Sequence, residues 1–160
     1  MLVKQRNNTD CAICSLAMLT ASTYEQVARK LRPNAGVSQE ESTLYLVEEG
    51  FVPLFLVTDE YMRDVAEDWQ QRKAWAQTKL AKYLMGRRAL LTVRSGSLLH
   101  CVYFDGFKVL DPARGFRKLS DYVLCDALVV DRERLQAFDR DDLSTREARK
   151  LFTQRGGVNG

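Results

Sequence analysis

The chain has a single histidine, His100, so any chemistry that needs an imidazole falls to that one side chain. It has no run approaching ~18 uninterrupted apolar residues, and its N-terminal Met-Leu-Val-Lys-Gln does not lead into an apolar segment. A membrane span and a secretory signal are thereby set aside, and a soluble, cytoplasmic protein with no membrane partner is the expectation. Charge of one sign is lacking too: 24 basic and 21 acidic residues are mixed along the chain, for a formal charge of +3. Without a basic arm or an aromatic-interleaved basic stretch, nucleic-acid binding gains no support. No internal repeat or low-complexity tract is visible. Cys11 and Cys14 form the one Cys-x-x-Cys pair, whereas a closed zinc site normally shows a second matching pair of ligands. A thioredoxin-like redox motif would need a strand ahead of that pair within a βαβ pattern. No cofactor or metal is therefore expected, and Cys14, Cys101 and Cys125 read as small, buried, reduced residues.

What is present is ordinary globular composition, 46% hydrophobic and 28% charged over 160 residues, enough for one compact domain. The apolar run Cys11 to Leu19 reads as a buried helix with Asp10 or Thr9 at its N-cap. Ser22-Thr-Tyr-Glu25 has capping-box spacing and opens a helix with Tyr24, Val27, Ala28 and Leu31 on its apolar face, stopped by Pro33. Ser38-Gln-Glu-Glu41 repeats the signal for a helix that buries Leu44 and Val47, with Leu46 beside them, and ends at Gly50. Phe51 to Val57 is a strand by composition, and Glu60 to Leu84 has the spacing of one long or two broken amphipathic helices. Strands follow at Ala89–Val93, Leu98–Phe104, Phe107–Leu110 and Val123–Val130. Helices first and strands later indicate a segregated α+β domain over residues 1–131. Residues 132–160 read as a charged extension, helical in pieces, with Ser144-Thr-Arg-Glu147 as another capping box and a frayed end at Gly156-Gly157.

Cys11 opens its helix, where the positive end of the helix dipole favours a thiolate, and a nearby imidazolium would favour it further. Asp105-Gly106 between two apolar runs is the preferred sequence of a two-residue type I′ turn. That turn makes Phe104 and Phe107 the first pair and sets His100 opposite Asp111, within reach of an imidazole–carboxylate hydrogen bond. Asp105 is the alternative partner, although a turn-tip carboxylate points away from a mid-strand histidine. Gln5, on the loop that feeds the first helix, is placed to bring a side-chain amide beside the Cys11 N–H, where the two would hold an oxyanion. Together these are the parts of a cysteine nucleophile: Cys11, His100 as base and then acid, Asp111 to orient it, and Gln5.

Gln5-x5-Cys11 with Asp10 before the cysteine and Leu-Ala-Met18 after it, His100 in a late strand, and Asp111-Pro-Ala-Arg-Gly115 resemble the C39 and C39-like cysteine peptidases of the papain-like superfamily. The resemblance covers roughly residues 1 to 130. It implies a papain-like fold, N-terminal helices packed on an antiparallel sheet, with Cys11, His100, Asp111 and Gln5 as the catalytic group and a peptide or protein as substrate. Two departures stand out: Ala12 replaces the usual glycine after the nucleophile, and the interval from His100 to Asp111 is shorter than the family norm. Members of the family often cut leader peptides after Gly-Gly, which makes leader processing one candidate substrate. A non-catalytic binding or inhibitor module, or a zinc protein using Cys11 and Cys14, are the alternatives, and an acyl transferase would share the same chemistry.

Overall fold

The computed structural model describes residues 1–31, 36–57, 78–95 and 98–130. Pro33, most of the Glu60 to Leu84 region and the whole extension beyond residue 130, with its Ser144 capping box and Gly156-Gly157, lie outside the described residues. Three helices come first, α1 (Cys11–Thr20), α2 (Tyr24–Leu31) and α3 (Gln39–Glu48), followed by strands β1 (Pro53–Val57), β2 (Arg88–Ser95), β3 (Leu98–Phe104), β4 (Val109–Asp111), β5 (Gly115–Arg117) and β6 (Val123–Val130). All strand pairs are antiparallel, in one sheet of order β1-β6-β2-β3-β4-β5. Helices on an antiparallel sheet make the domain α+β.

Helix α1 is buried along its length, from Ala12 to Leu19, because it lies on β3 and β2 with α2 and α3 packed against it. Ile13, Leu16, Leu19, Val27, Tyr45 and Leu46 form the core on that face of the sheet together with Leu90, Tyr103 and Leu128. The opposite face carries a second core, in which Leu80 and Leu84 of a helical stretch over 78–84 cover Leu91, Val102, Phe104 and Leu124. Ala21 closes α1 in a left-handed conformation at φ 58°, and the Ser22 N–H returns to the Ala17 carbonyl at 3.0 Å.

Several sequence expectations are corrected here. The box that opens α2 is Thr23 with Gln26, whose backbone and side-chain groups exchange bonds of 2.8 and 3.2 Å, rather than Ser22 with Glu25. Ser38 and Glu41 do form the expected box on α3. That helix buries Ser42, Tyr45 and Leu46, however, leaving Leu44 and Val47 63% and 54% exposed. Four apolar residues in a row, Leu44 to Val47, cover more than half the helix circumference, so periodicity alone leaves the buried face open.

The turn between β3 and β4 also differs. Phe104 pairs with Val109 and Tyr103 with Leu110, so residues 105–108 form the loop and Phe107 is exposed rather than in a strand. Asp105 Oδ1 accepts the Phe107 and Lys108 N–H groups, both at 2.9 Å, an Asx-type turn. Asp105 lacks the positive φ that a type I′ turn requires at both central positions. Gly106, at φ 104°, presses on another turn: its carbonyl accepts the Gly86 N–H at 2.8 Å, and a Cβ there would sit 3.0 Å from the Gly86 carbonyl carbon. The short strand β5 was not anticipated.

Candidate active site

Cys11 is the first residue of α1, and its position follows from what holds the helix start. Asp10 is the N-cap, yet its fully buried carboxylate turns away from the helix. It accepts the backbone N–H of Arg6 at 3.1 Å and of Asn7 at 3.4 Å, and the Tyr24 hydroxyl at 3.0 Å. The loop ahead of the cysteine is thereby folded onto α2, while the N–H groups of the first turn of α1 are left without a side-chain cap from Asp10. One turn further on, the buried Ser15 hydroxyl donates to the Cys101 carbonyl at 3.1 Å. Helix α1 is thus pinned to β3 at the residue beside His100.

The described residues bring Cys11, His100 and Asp111 together. His100 Nε2 lies 2.9 Å from Asp111 Oδ1, which leaves Nδ1 as the nitrogen for the sulfur of Cys11, a residue that lines the same cavity and whose ionisation the ring favours. Continuing the β3–β4 register sets Asp111 opposite Val102, two residues along from His100, so the contact is diagonal rather than directly across. Diagonal neighbours are ~7–8 Å apart at Cα, within reach of a histidine and an aspartate. The Asp111 carboxylate is fully buried and well supplied with donors. Oδ1 also takes the Ala113 and Arg114 N–H groups at 2.7 and 3.1 Å, and Oδ2 takes the Tyr122 hydroxyl at 2.5 Å. Asp105 is occupied in its own turn and does not approach His100.

The electrostatics favour an ion pair. Burial raises the Cys11 thiol, but the hydrogen bonds from His100 and the Cys101 backbone outweigh it and bring the group below an ordinary thiol. Burial pulls His100 down, yet its bonds to Asp111 and Cys11 push it up to about 9. Burial also works against Asp111 ionising, while His100, Tyr122 and the Ala113 N–H hold it well below the usual carboxylate range. Cys14, one turn along α1, moves the other way, pushed up to about 12 by burial and by Asp10 and Cys11.

A cavity of about 380 Å³ opens over Cys11 and His100, with Gln39 and Ser42 of α3 on one wall and Thr92 and the buried Asp126 on its floor. Gln5 does not line it. The Gln5 N–H donates to the Pro112 carbonyl at 3.0 Å, and the half-buried side chain, which makes no hydrogen bond among the described residues, borders a neighbouring depression. All four cysteines are free thiols, and among the described residues no group of three His, Cys, Asp or Glu side chains could hold a metal. Among them too, no helix is long and apolar enough to cross a membrane.

Two contributors escaped the sequence reading. Tyr122 stands just before β6 with no spacing signal that ties it to Asp111. Asp10 was legible as an N-cap, but its reversed side chain depends on Tyr24, an i+14 partner that local motifs do not reveal.

The fold is similar to that of the crystal structure of a double-glycine-motif protease from an AMS/PCAT transporter in complex with the leader peptide, at a TM-score of 0.59 and 17% sequence identity. The match covers 81% of this chain and 89% of that one. The α+β arrangement is thus shared with a protease of that type. No protein-family model and no curated protein sequence matches the chain.

Proposed function

We propose that the protein is a C39-like cysteine peptidase that hydrolyses a peptide bond through a Cys-His-Asp triad. The observation that carries this reading is the chain Cys11 to His100 to Asp111, set at the N-terminus of a buried helix with the Asp111 bond at 2.9 Å. The likeness to a protease solved with a leader peptide supports a peptide substrate.

In this mechanism the Cys11 thiolate attacks the scissile carbonyl carbon and the C=O electron pair moves onto oxygen. The Cys11 N–H stabilises that oxyanion, joined by the Gln5 side-chain amide once it turns toward the cavity. His100 then gives its Nδ1 proton to the leaving amine as the C–N bond breaks, leaving a thioester. Water, deprotonated by the same nitrogen, attacks the thioester and releases the acid and the free thiol. Asp111 keeps the Nε2 proton in place and stabilises the imidazolium, as the acid of a triad does.

The test is alkylation by iodoacetamide near pH 6, where an ordinary thiol reacts little. Stoichiometric, selective modification of Cys11, with peptide cleavage abolished in Cys11→Ala, is expected. Retained cleavage in that variant, or a Cys11 no more reactive than a model thiol, overturns the reading.

A further inference from the structure

The wall that α3 gives to the Cys11 cavity carries two polar side chains, Gln39 and Ser42. The Ser42 hydroxyl is engaged within the helix, donating to the Ser38 carbonyl at 2.9 Å. Gln39 differs: its side-chain nitrogen is buried and has no hydrogen-bond partner among the described residues. A buried amide donor left unsatisfied destabilises the free protein, and such groups are rare in folded chains. Shielded from water yet on the wall of a cavity of about 380 Å³, this one is placed for a partner that arrives with a ligand. The terminal torsion of a glutamine is soft, so the amide turns readily toward such a partner.

The backbone holds Gln39 in position from both sides. It is the first residue of α3, directly after the N-cap Ser38. The Ser38–Glu41 box closes across it with bonds of 2.8 and 3.2 Å, and the Thr43 hydroxyl donates to the Gln39 carbonyl at 2.8 Å. The segment leading into α3 also runs close to the one leading into α1. A Cβ on Gly36 would stand 3.9 Å from the carbonyl oxygen of Thr9, two residues before Cys11. Gln39 and Cys11 therefore open two helices onto one cavity, which His100 also lines.

A primary amide offers a donor and an acceptor side by side, the complement of the C=O and N–H of an extended peptide. We infer that Gln39 binds the substrate main chain beside the scissile bond, its nitrogen donating to a substrate carbonyl and Oε1 accepting a substrate N–H. The inference rests on the peptidase reading and adds to it a substrate-binding residue outside the triad and the oxyanion pair. A contact to main chain is indifferent to the substrate's side chains. What it supplies is register, holding the scissile carbonyl over Cys11.

The test reads inactivation by acetyl-Ala-Gly-Gly-chloromethyl ketone, in which the Cys11 sulfur displaces chloride and a C–S bond forms. Gly-Gly suits the probe because the similar fold is that of a double-glycine-motif protease. Two companion probes carry N-methylglycine at one glycine or the other, each lacking one N–H. Every rate is divided by that of iodoacetamide, which has no peptide to position. Gln39→Leu should lower this ratio about tenfold for the unmethylated probe. Methylation at one of the two glycines should slow the parent protein about tenfold more than it slows Gln39→Leu, the coupling of two groups in contact. The Leu variant also lacks the unsatisfied donor, so its urea midpoint should equal or exceed the parent's. Gln39→Glu, which keeps the shape and the acceptors without the donor, should slow the unmethylated probe yet retain sensitivity to methylation, so the test does not depend on the Leu variant folding. A ratio unchanged in both variants, or methylation effects equal in parent and Gln39→Leu, overturns the assignment; selective iodoacetamide labelling of Cys11 near pH 6 would then leave the peptidase reading standing. A Cys11 modified by neither the ketones nor iodoacetamide overturns both.

Discussion

The Tyr122 hydroxyl and Asp111 Oδ2 lie 2.5 Å apart, so the carboxylate that faces His100 is held from behind by a buried phenol. The phenol's own proton is more firmly held as a result, since burial and the Asp111 charge both raise Tyr122. Tyr122→Phe removes that donor and leaves a buried oxygen unsatisfied, at a cost of about 1–3 kcal/mol. Denaturant unfolding should show the loss. Because Asp111 ionises less readily without the phenol, its contribution to stability, which is present above the ordinary carboxylate value of 3.8 and lost as pH falls, should be smaller than in the parent and be exhausted at a higher pH.

His100 titrates in the opposite sense. Its folded value of about 9 lies above the ordinary 6.5, so its stabilising contribution is complete below 6.5 and disappears as pH rises through about 9. Peptide cleavage should fall over the same upper range as the imidazolium loses the proton destined for the leaving amine. In Asp111→Asn the upper limb should move down toward 6.5 and turnover should drop at least tenfold, with the far-UV spectrum unchanged. A pH–rate profile identical to the parent's would detach Asp111 from the mechanism.

Thiol selectivity offers an independent check. Cys11 is lowered while Cys14 is pushed up to about 12 and Cys101 is raised by burial. At pH 6 a single alkylated site, Cys11, is expected by peptide mapping, and all four cysteines should become modifiable only at higher pH after denaturation.

The face of α3 can be tested by stability alone. Leu46 is fully buried, and Leu46→Ala should cost about 2–5 kcal/mol. Leu44→Ser and Val47→Ser, at exposed positions, should each fall within about 0.5 kcal/mol of the parent in chemical denaturation.

The sequence was most readable where one local signal decides the structure. The apolar run after Asp10 gave α1 to within a residue, the Ser38–Glu41 box gave the start of α3, and β3 and β6 fell at Leu98–Phe104 and Val123–Val130. It was less readable where two local devices compete. Asp105-Gly106 suits a tight turn, but the carboxylate instead captured two downstream N–H groups and lengthened the loop. The register slipped by two, an even number, so His100 and Asp111 kept the same face of the sheet and still met; a slip of one would have parted them. The Gln5 side chain illustrates a different limit, because spacing places a residue on a loop without fixing which way it turns. Tyr122 and the reversed Asp10 depend on tertiary partners, and no periodicity encodes those.

The bond from the Gln5 N–H to the Pro112 carbonyl joins segments about a hundred residues apart. During synthesis the helix of Cys11 leaves the ribosome before His100, Asp111 and the stitch that braces the entering loop, which arrive only near the end of the sheet. On the proposed reading, a nascent or truncated chain ending before that point carries an ordinary thiol, and reactivity at Cys11 should come into being with the completed fold and not before it.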